Sequence, residues 1–255
     1  TPTLPWIRLQ RARAAAMAAR YTDARALLEQ ASYSLAAQGN TVGEAHLALV
    51  EAQVQLAAGD TTALEVAARA ADAFDRLGLA RAHAAARVVH ADALRAAGHH
   101  DAAIAACVAA LVHAGPQTRV QAWAVRGEAL LASNQLEPAK AAFDTAIDAF
   151  EALRQRVPGD ELRRAFVSDV MRPYRRRLAI ALDDATRDAA CPEPRRRVAV
   201  EDAFGWLERF KARALAERSA GTRTEGSDDR SEGLRMRLDW IHRRQQEQLE
   251  ADGTT

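Results

Sequence analysis

Over residues 1–157, apolar positions recur at spacings of three and four, and the stripes come in pairs separated by short polar breaks. That spacing predicts helices with one buried face. Turns are expected near Arg20-Tyr21-Thr22, Gly59-Asp60, Gly98-His99 and Asn134-Gln135. A small or apolar residue follows each turn at a matching place: Ala24, Leu64, Ala103 and Ala139, at intervals of 40, 39 and 36 residues. An interval of this length marks a repeat of two helices per unit. Gly39-Asn40, Leu77-Gly78, Gly115-Pro116 and Pro158-Gly159-Asp160 end helices, because they tolerate left-handed backbone or forbid continuation. Four hairpins are expected: 1–40, 41–78, 79–115 and 116–157. Asp23, Asp60 and Asp101 fall at helix starts, where a carboxylate suits free N–H groups.

The fourth hairpin is the clearest. Trp123, Gly127 and Leu130 share one face of its first helix, and Ala139, Phe143, Ala146, Ile147 and Phe150 share one face of its second. Gly127 and Ala139 are small where the two helices approach, and Pro138 sits near a helix start, where its missing N–H costs nothing. This W-x3-G-x2-L…A-x3-F-x2-A arrangement resembles the tetratricopeptide repeat. The third unit is similar to it through Ala91, Leu94, Gly98, Ala103, Cys107 and Ala110, and the first through Tyr21, Ala24, Leu28 and Ala31. The second, around Thr61-Thr62-Ala63, departs most. The resemblance implies an all-α, right-handed helical-hairpin solenoid with extra C-terminal helices. In such a solenoid the first helices line a concave face. Gln121, Ala124, Glu128 and Leu131 are expected there, with Val88, Asp92 and Arg95 from the third unit and Leu9, Arg13 and Met17 from the first. A protein or peptide ligand is the expected occupant.

Beyond Pro158 the pattern changes. Leu162, Phe166, Val170, Tyr174, Leu178 and Leu182 step by four along one long helix, which Pro173 is expected to kink. Residues 158–220 read as a helical extension, with a loop at Cys191-Pro192-Glu193-Pro194 and a further helix facing inward through Ala203, Leu207, Phe210 and Ala214. Residues 221–233 are rich in Gly, Ser and charge and predict a flexible linker. Leu234, Leu238, Ile241 and Leu249 mark a last helix over 234–250.

Composition sharpens this picture. The chain is 49% hydrophobic, much of it Ala, with 5% aromatics, so it favours closely packed helices over strands. A net charge of +1 gives no drive toward nucleic acid or a membrane surface. Arg175-Arg176-Arg177 and Arg195-Arg196-Arg197 read as solvated faces. No apolar run approaches 18 residues, and a cytoplasmic setting is expected.

No catalytic or metal site is legible, and no cofactor is expected. Cys107 falls at a buried helix position, with His100 two turns away, roughly 10 Å. Cys191 has no His nearby, and the pair predicts no disulfide. His99-His100 are adjacent and His83 and His90 are seven apart, so no metal spacing appears. Asp183-Asp184 and Asp228-Asp229 read as solvated charge, and no Gly-rich phosphate loop is present.

The segments Arg163 to Leu178 and Ala203 to Leu215 resemble the region between repeats and protease in bacterial CHAT proteins, tetratricopeptide proteins that carry a caspase-like cysteine protease. The matching residues are Leu162, Arg163, Phe166, Tyr174, Ala203, Phe204, Glu208, Arg209, Lys211, Ala212, Arg213, Ala214 and Leu215. Leu234 to Gln245 is similar to the coiled segment that comes next in that family. The resemblance implies a sensor or scaffold whose repeats receive a partner and control a protease domain expected beyond Thr255. Lys211 and Arg213 then either pair with Glu208 and Glu217 along the helix or dock that domain. The alternative expectation is the sensor region of a bacterial transcription or signalling regulator.

Overall fold

A computed structural model of the chain describes residues 4–155, 171–187 and 193–221. The described residues form ten α-helices and no strand. In chain order these are α1 (Leu4–Met17), α2 (Tyr21–Ala36), α3 (Thr41–Ala57), α4 (Ala63–Arg76) and α5 (Ala80–Ala96). They continue with α6 (His100–Leu111), α7 (Pro116–Ala132), α8 (Leu136–Gln155), α9 (Met171–Arg187) and α10 (Glu193–Gly221). The expected linker at 221–233, the helix at 234–250 and the Cys191 loop lie outside the described residues, apart from Gly221 and the first turn of α10.

The turns between helices share one chemistry. The N–H groups of Arg20, Asn40, Asp60, Leu79 and His99 donate to the carbonyls of Ala15, Leu35, Gln55, Phe74 and Leu94, closing each helix five residues back. This closure requires left-handed backbone at the residue before the donor. Gly39, Gly59, Gly78 and Gly98 supply it without strain, whereas Ala19 holds φ at 56° with a side chain that disfavours it. Ala19→Gly is therefore expected to raise stability by about 1 kcal/mol in urea denaturation. An unchanged midpoint would mean that the unfolded chain gains as much freedom as the turn loses strain.

Backbone contacts divide the chain into two compact units: Thr1–Thr118 with Glu128–Asn134, and Arg119–Gly127 with Gln135–Thr255. In the first unit, sequence neighbours pack in order from α1 to α6, and α3 also touches α1 and α5. One cluster joins Leu9, Ala12 and Ala15 of α1, Ala24, Leu28 and Ala31 of α2, and Val50 and Val54 of α3. The next joins Ala45 and Leu49 of α3, Val66, Ala67, Ala70 and Phe74 of α4, and Ala86 and Val89 of α5. Alanine dominates both because helices at close range leave room for little else.

The second hairpin resolves the register expected on Leu64. Ala63 is the buried residue, and Leu64 is half-buried. Asp60 explains the shift: its carboxylate accepts hydrogen bonds from the N–H and hydroxyl of Thr62, at 3.1 and 2.8 Å, and holds α4 to start at Ala63.

In the second unit, Val120, Ile147, Phe150, Tyr174, Ala181, Ala203 and Trp206 form one cluster. A Cβ placed on Gly127 would lie 2.7 Å from the ring of the fully buried Phe143, so α7 and α8 approach as closely as their residues allow. Gly127→Ala is expected to cost about 1–2 kcal/mol, the overpacking exceeding the gain in helix propensity. Phe143→Leu in the same chain should shrink that cost, as read by a double-mutant cycle in urea.

Pro173 is buried and is the third described residue of α9. The expected mid-helix kink depended on a helix running from Leu162, and residues 156–170 lie outside those described.

Candidate functional site

Four first helices carry a polar residue at one register position: Arg13 on α1, Gln53 on α3, Asp92 on α5 and Glu128 on α7. They are separated by the repeat's own intervals of 40, 39 and 36 residues. The Nε of Arg13 donates to Oε1 of Gln53 at 2.9 Å. The Nε of Arg95 donates to Oδ1 of Asp92 at 2.7 Å and lies 3.4 Å from Oε2 of Glu128. Arg95 therefore joins α5 to the end of α7 within the first unit. The Glu128 side chain is only 4% exposed, so its charge needs compensation, and Arg95 supplies a cation for it.

Two turns nearer the helix starts, Trp6 and His46 meet edge to face at 5.0 Å, and His46 meets Phe74 in the same way at 4.8 Å. Burial, reinforced by the positive charge of Arg13, lowers the His46 pKa to about 4. The imidazole is neutral at pH 7 and acts as a third aromatic ring between Trp6 and Phe74.

The residues expected on a concave face divide into two groups. Arg13, Asp92, Arg95, Gln121 and Leu131 are half-buried, and Met17 is well exposed. Val88, Leu9 and Ala124 are core residues, and Val88 is only 3% exposed. Each points into a core because first helices in this packing bury two faces. Gln121 and Ala124 belong to the second unit, and the other eight belong to the first. Ala16 rather than Met17 occupies the register of Arg95 and Leu131. Gln53 and His46 escaped the sequence reading. The 40-residue interval from Arg13 and from Trp6 would have found both.

In the second unit, Arg177 is the buried centre. Its Nε donates to Asp144 at 3.1 Å, its Nη1 donates to Asp202 at 3.2 Å, and its guanidinium lies 4.8 Å from the Trp206 ring centre. Arg209 lies against the same ring at 4.9 Å. Burial raises the Asp144 pKa and outweighs the opposing pull of Arg177. Arg175 and Arg176 are exposed as a solvated face requires, but Arg177 corrects that reading, because an arginine stacked on Trp206 shields the core from water. The Tyr174 hydroxyl donates to Glu151 at 2.7 Å. Lys140 Nζ lies 2.6 Å from Asp184 and 2.8 Å from Glu137. The inward face of α10 includes Trp206, which the sequence reading omitted, while Phe204 is exposed. Lys211 pairs with Glu208 at 3.3 Å on the open surface. The side chains of Arg195, Arg196, Arg213 and Glu217 lie outside those described.

Cys107 is fully buried, so its thiol has no access to a substrate. Among the described residues no three His, Cys, Asp or Glu side chains are grouped to hold a metal ion, and no helix is long and apolar enough to cross a membrane. No protein-family model matches the chain, and no curated protein is similar to it.

Proposed function

We propose that this chain is a protein-interaction module. In this reading four tetratricopeptide-like hairpins form a right-handed solenoid that serves as sensor or scaffold for a caspase-like CHAT protease domain on its C-terminal side. The module itself carries out no catalysis, needs no cofactor, and works in the cytoplasm on a protein or peptide rather than on nucleic acid or a membrane. One observation carries the interaction reading: polar residues recur at the repeat interval on successive first helices, and three of them, Arg13, Gln53 and Asp92, are half-buried, while Glu128 is buried. Half-buried, oriented polar groups give a ligand fixed hydrogen-bonding partners at little ordering cost. The link to a protease rests on the resemblance of the α9 and α10 segments.

The test uses the chain as bait in lysate of its native host, beside an Arg13→Ala, Gln53→Ala variant whose melting temperature matches the parent. One stoichiometric protein, captured by the parent and released by the variant, supports the reading. Equal capture by both, or none by either, rejects the first-helix row as the contact surface.

A further inference from the structure

Each first helix after α1 in the first unit docks on the hairpin before it through one stripe. In α3 the stripe is Leu47, Val50 and Val54, packed with Leu9, Ala24, Leu28 and Ala31. In α5 it is Ala86, Val89 and Ala93, of which Ala86 and Val89 pack with Leu49, Val66 and Phe74. The counterparts in α1, 40 residues before those of α3, are Ile7, Gln10 and Ala14. All three are exposed, Ile7 by 50%. Leu4 and Met17 add exposed apolar surface at the two ends of the same helix, at 41% and 56%. Beside Arg11 and Ala14 an open hollow of about 320 Å³ lies between α1 and α2, lined also by Ala15, Ala26 and Leu27 and by the charged Arg20 and Asp23. A helix that ends a repeat array is expected to turn a polar face to water. Here Ile7 and Ala14 keep the apolar character of the buried stripes, and Gln10 departs from it.

We propose that the outer face of α1 is the docking surface for a further helical hairpin of the same kind, joined in sequence ahead of α1 as α1 and α2 are joined ahead of α3. Continuity with the two interfaces already formed argues for this occupant: the helix and the register are the same, and two of the three stripe positions, Ile7 and Ala14, are apolar. A second copy of the chain fits less well. The centre of the Leu4–Met17 stretch falls between Gln10 and Arg11, so two-fold pairing of α1 with its copy would bring the two Arg11 side chains within one residue of each other. The inference rests on the packing of α3 and α5 and is independent of what binds the first-helix row.

The experiment places a second copy of residues 1–40 ahead of Thr1, which preserves the 40-residue interval. Docking is expected to raise the melting temperature by about 4 °C or more. Ile7→Asp in the original α1 should remove at least half of that gain, yet move the unduplicated chain by less than about 1 °C. Gln10→Val, which restores the valine of α3 and α5, should enlarge the gain in the duplicated chain alone. Three results overturn the proposal: an added hairpin that melts separately without raising the rest, a gain indifferent to Ile7→Asp and Gln10→Val, or a parent chain that sediments as a dimer dispersed by Ile7→Asp. The last assigns the face to a second copy.

Discussion

Arg95→Leu is expected to lower the free energy of unfolding by about 3–5 kcal/mol, measured by urea denaturation at pH 7. The substitution keeps most of the side chain's bulk and removes the cation that Asp92 and Glu128 share. Glu128 has almost no contact with water, and Asp92 has little, so neither carboxylate can be solvated in place of the lost guanidinium. Neutralising both, as Asp92→Asn and Glu128→Gln in the Arg95→Leu chain, should recover part of the loss, because two poorly solvated carboxylates then no longer miss the cation they shared. Arg197→Leu provides the contrast. Its partner Glu201 lies at 3.0 Å on the same helix, but both side chains are solvated, so a change within about 0.5 kcal/mol is expected. If Arg95→Leu were as mild as Arg197→Leu, water or other partners would have to compensate both carboxylates, and the α5–α7 link would carry no more stability than a surface pair.

The same burial shapes how the first-helix row can serve a ligand. Charge reversal at Asp92 or Glu128 perturbs the fold together with any contact, so it cannot separate the two. Arg13 and Gln53 are better probes, since truncating both removes the two ends of their mutual hydrogen bond together.

Helix existence and repeat spacing were legible because they depend on local patterns. Glycine or asparagine at the turns and small residues at Ala24, Ala103 and Ala139 need no knowledge of the partner helix. What lay beyond the sequence depended on contacts distant in the chain. Val88 resembles a groove residue in a helical projection, and only the packing of α5 places it in the core. Arg177 sits in a run of three arginines, and nothing local distinguishes it from Arg175 and Arg176. Asp144 and Asp202, 33 and 25 residues away, select it. The shift from Leu64 to Ala63 came from the hydroxyl of Thr62 closing on Asp60, a turn that alters helix phase by a single residue.

Acid should weaken the first unit through His46. In the folded chain its pKa is lowered to about 4, first by burial and then by Arg13, against the ordinary value of 6.5 in the unfolded chain. As pH falls through 6.5 the unfolded chain takes up the proton and the folded chain does not, so stability is lost from there down to about pH 4 and no further. A shift of this size corresponds to about 3 kcal/mol. Asp60, whose carboxyl is held below its usual range by its bonds to Thr62 and by Arg25, also contributes to acid sensitivity, so the comparison must isolate the histidine. His46→Gln does so: the variant is expected to be less stable than the parent at pH 7, for want of the Trp6 and Phe74 ring contacts, and the gap should close by about 3 kcal/mol by pH 4. Proton NMR of the His46 ring gives the direct reading. A midpoint near 4 places the ring in a dry, positively biased site, whereas a midpoint above 6 would show that water enters between Trp6 and Phe74 and that this acid sensitivity arises elsewhere.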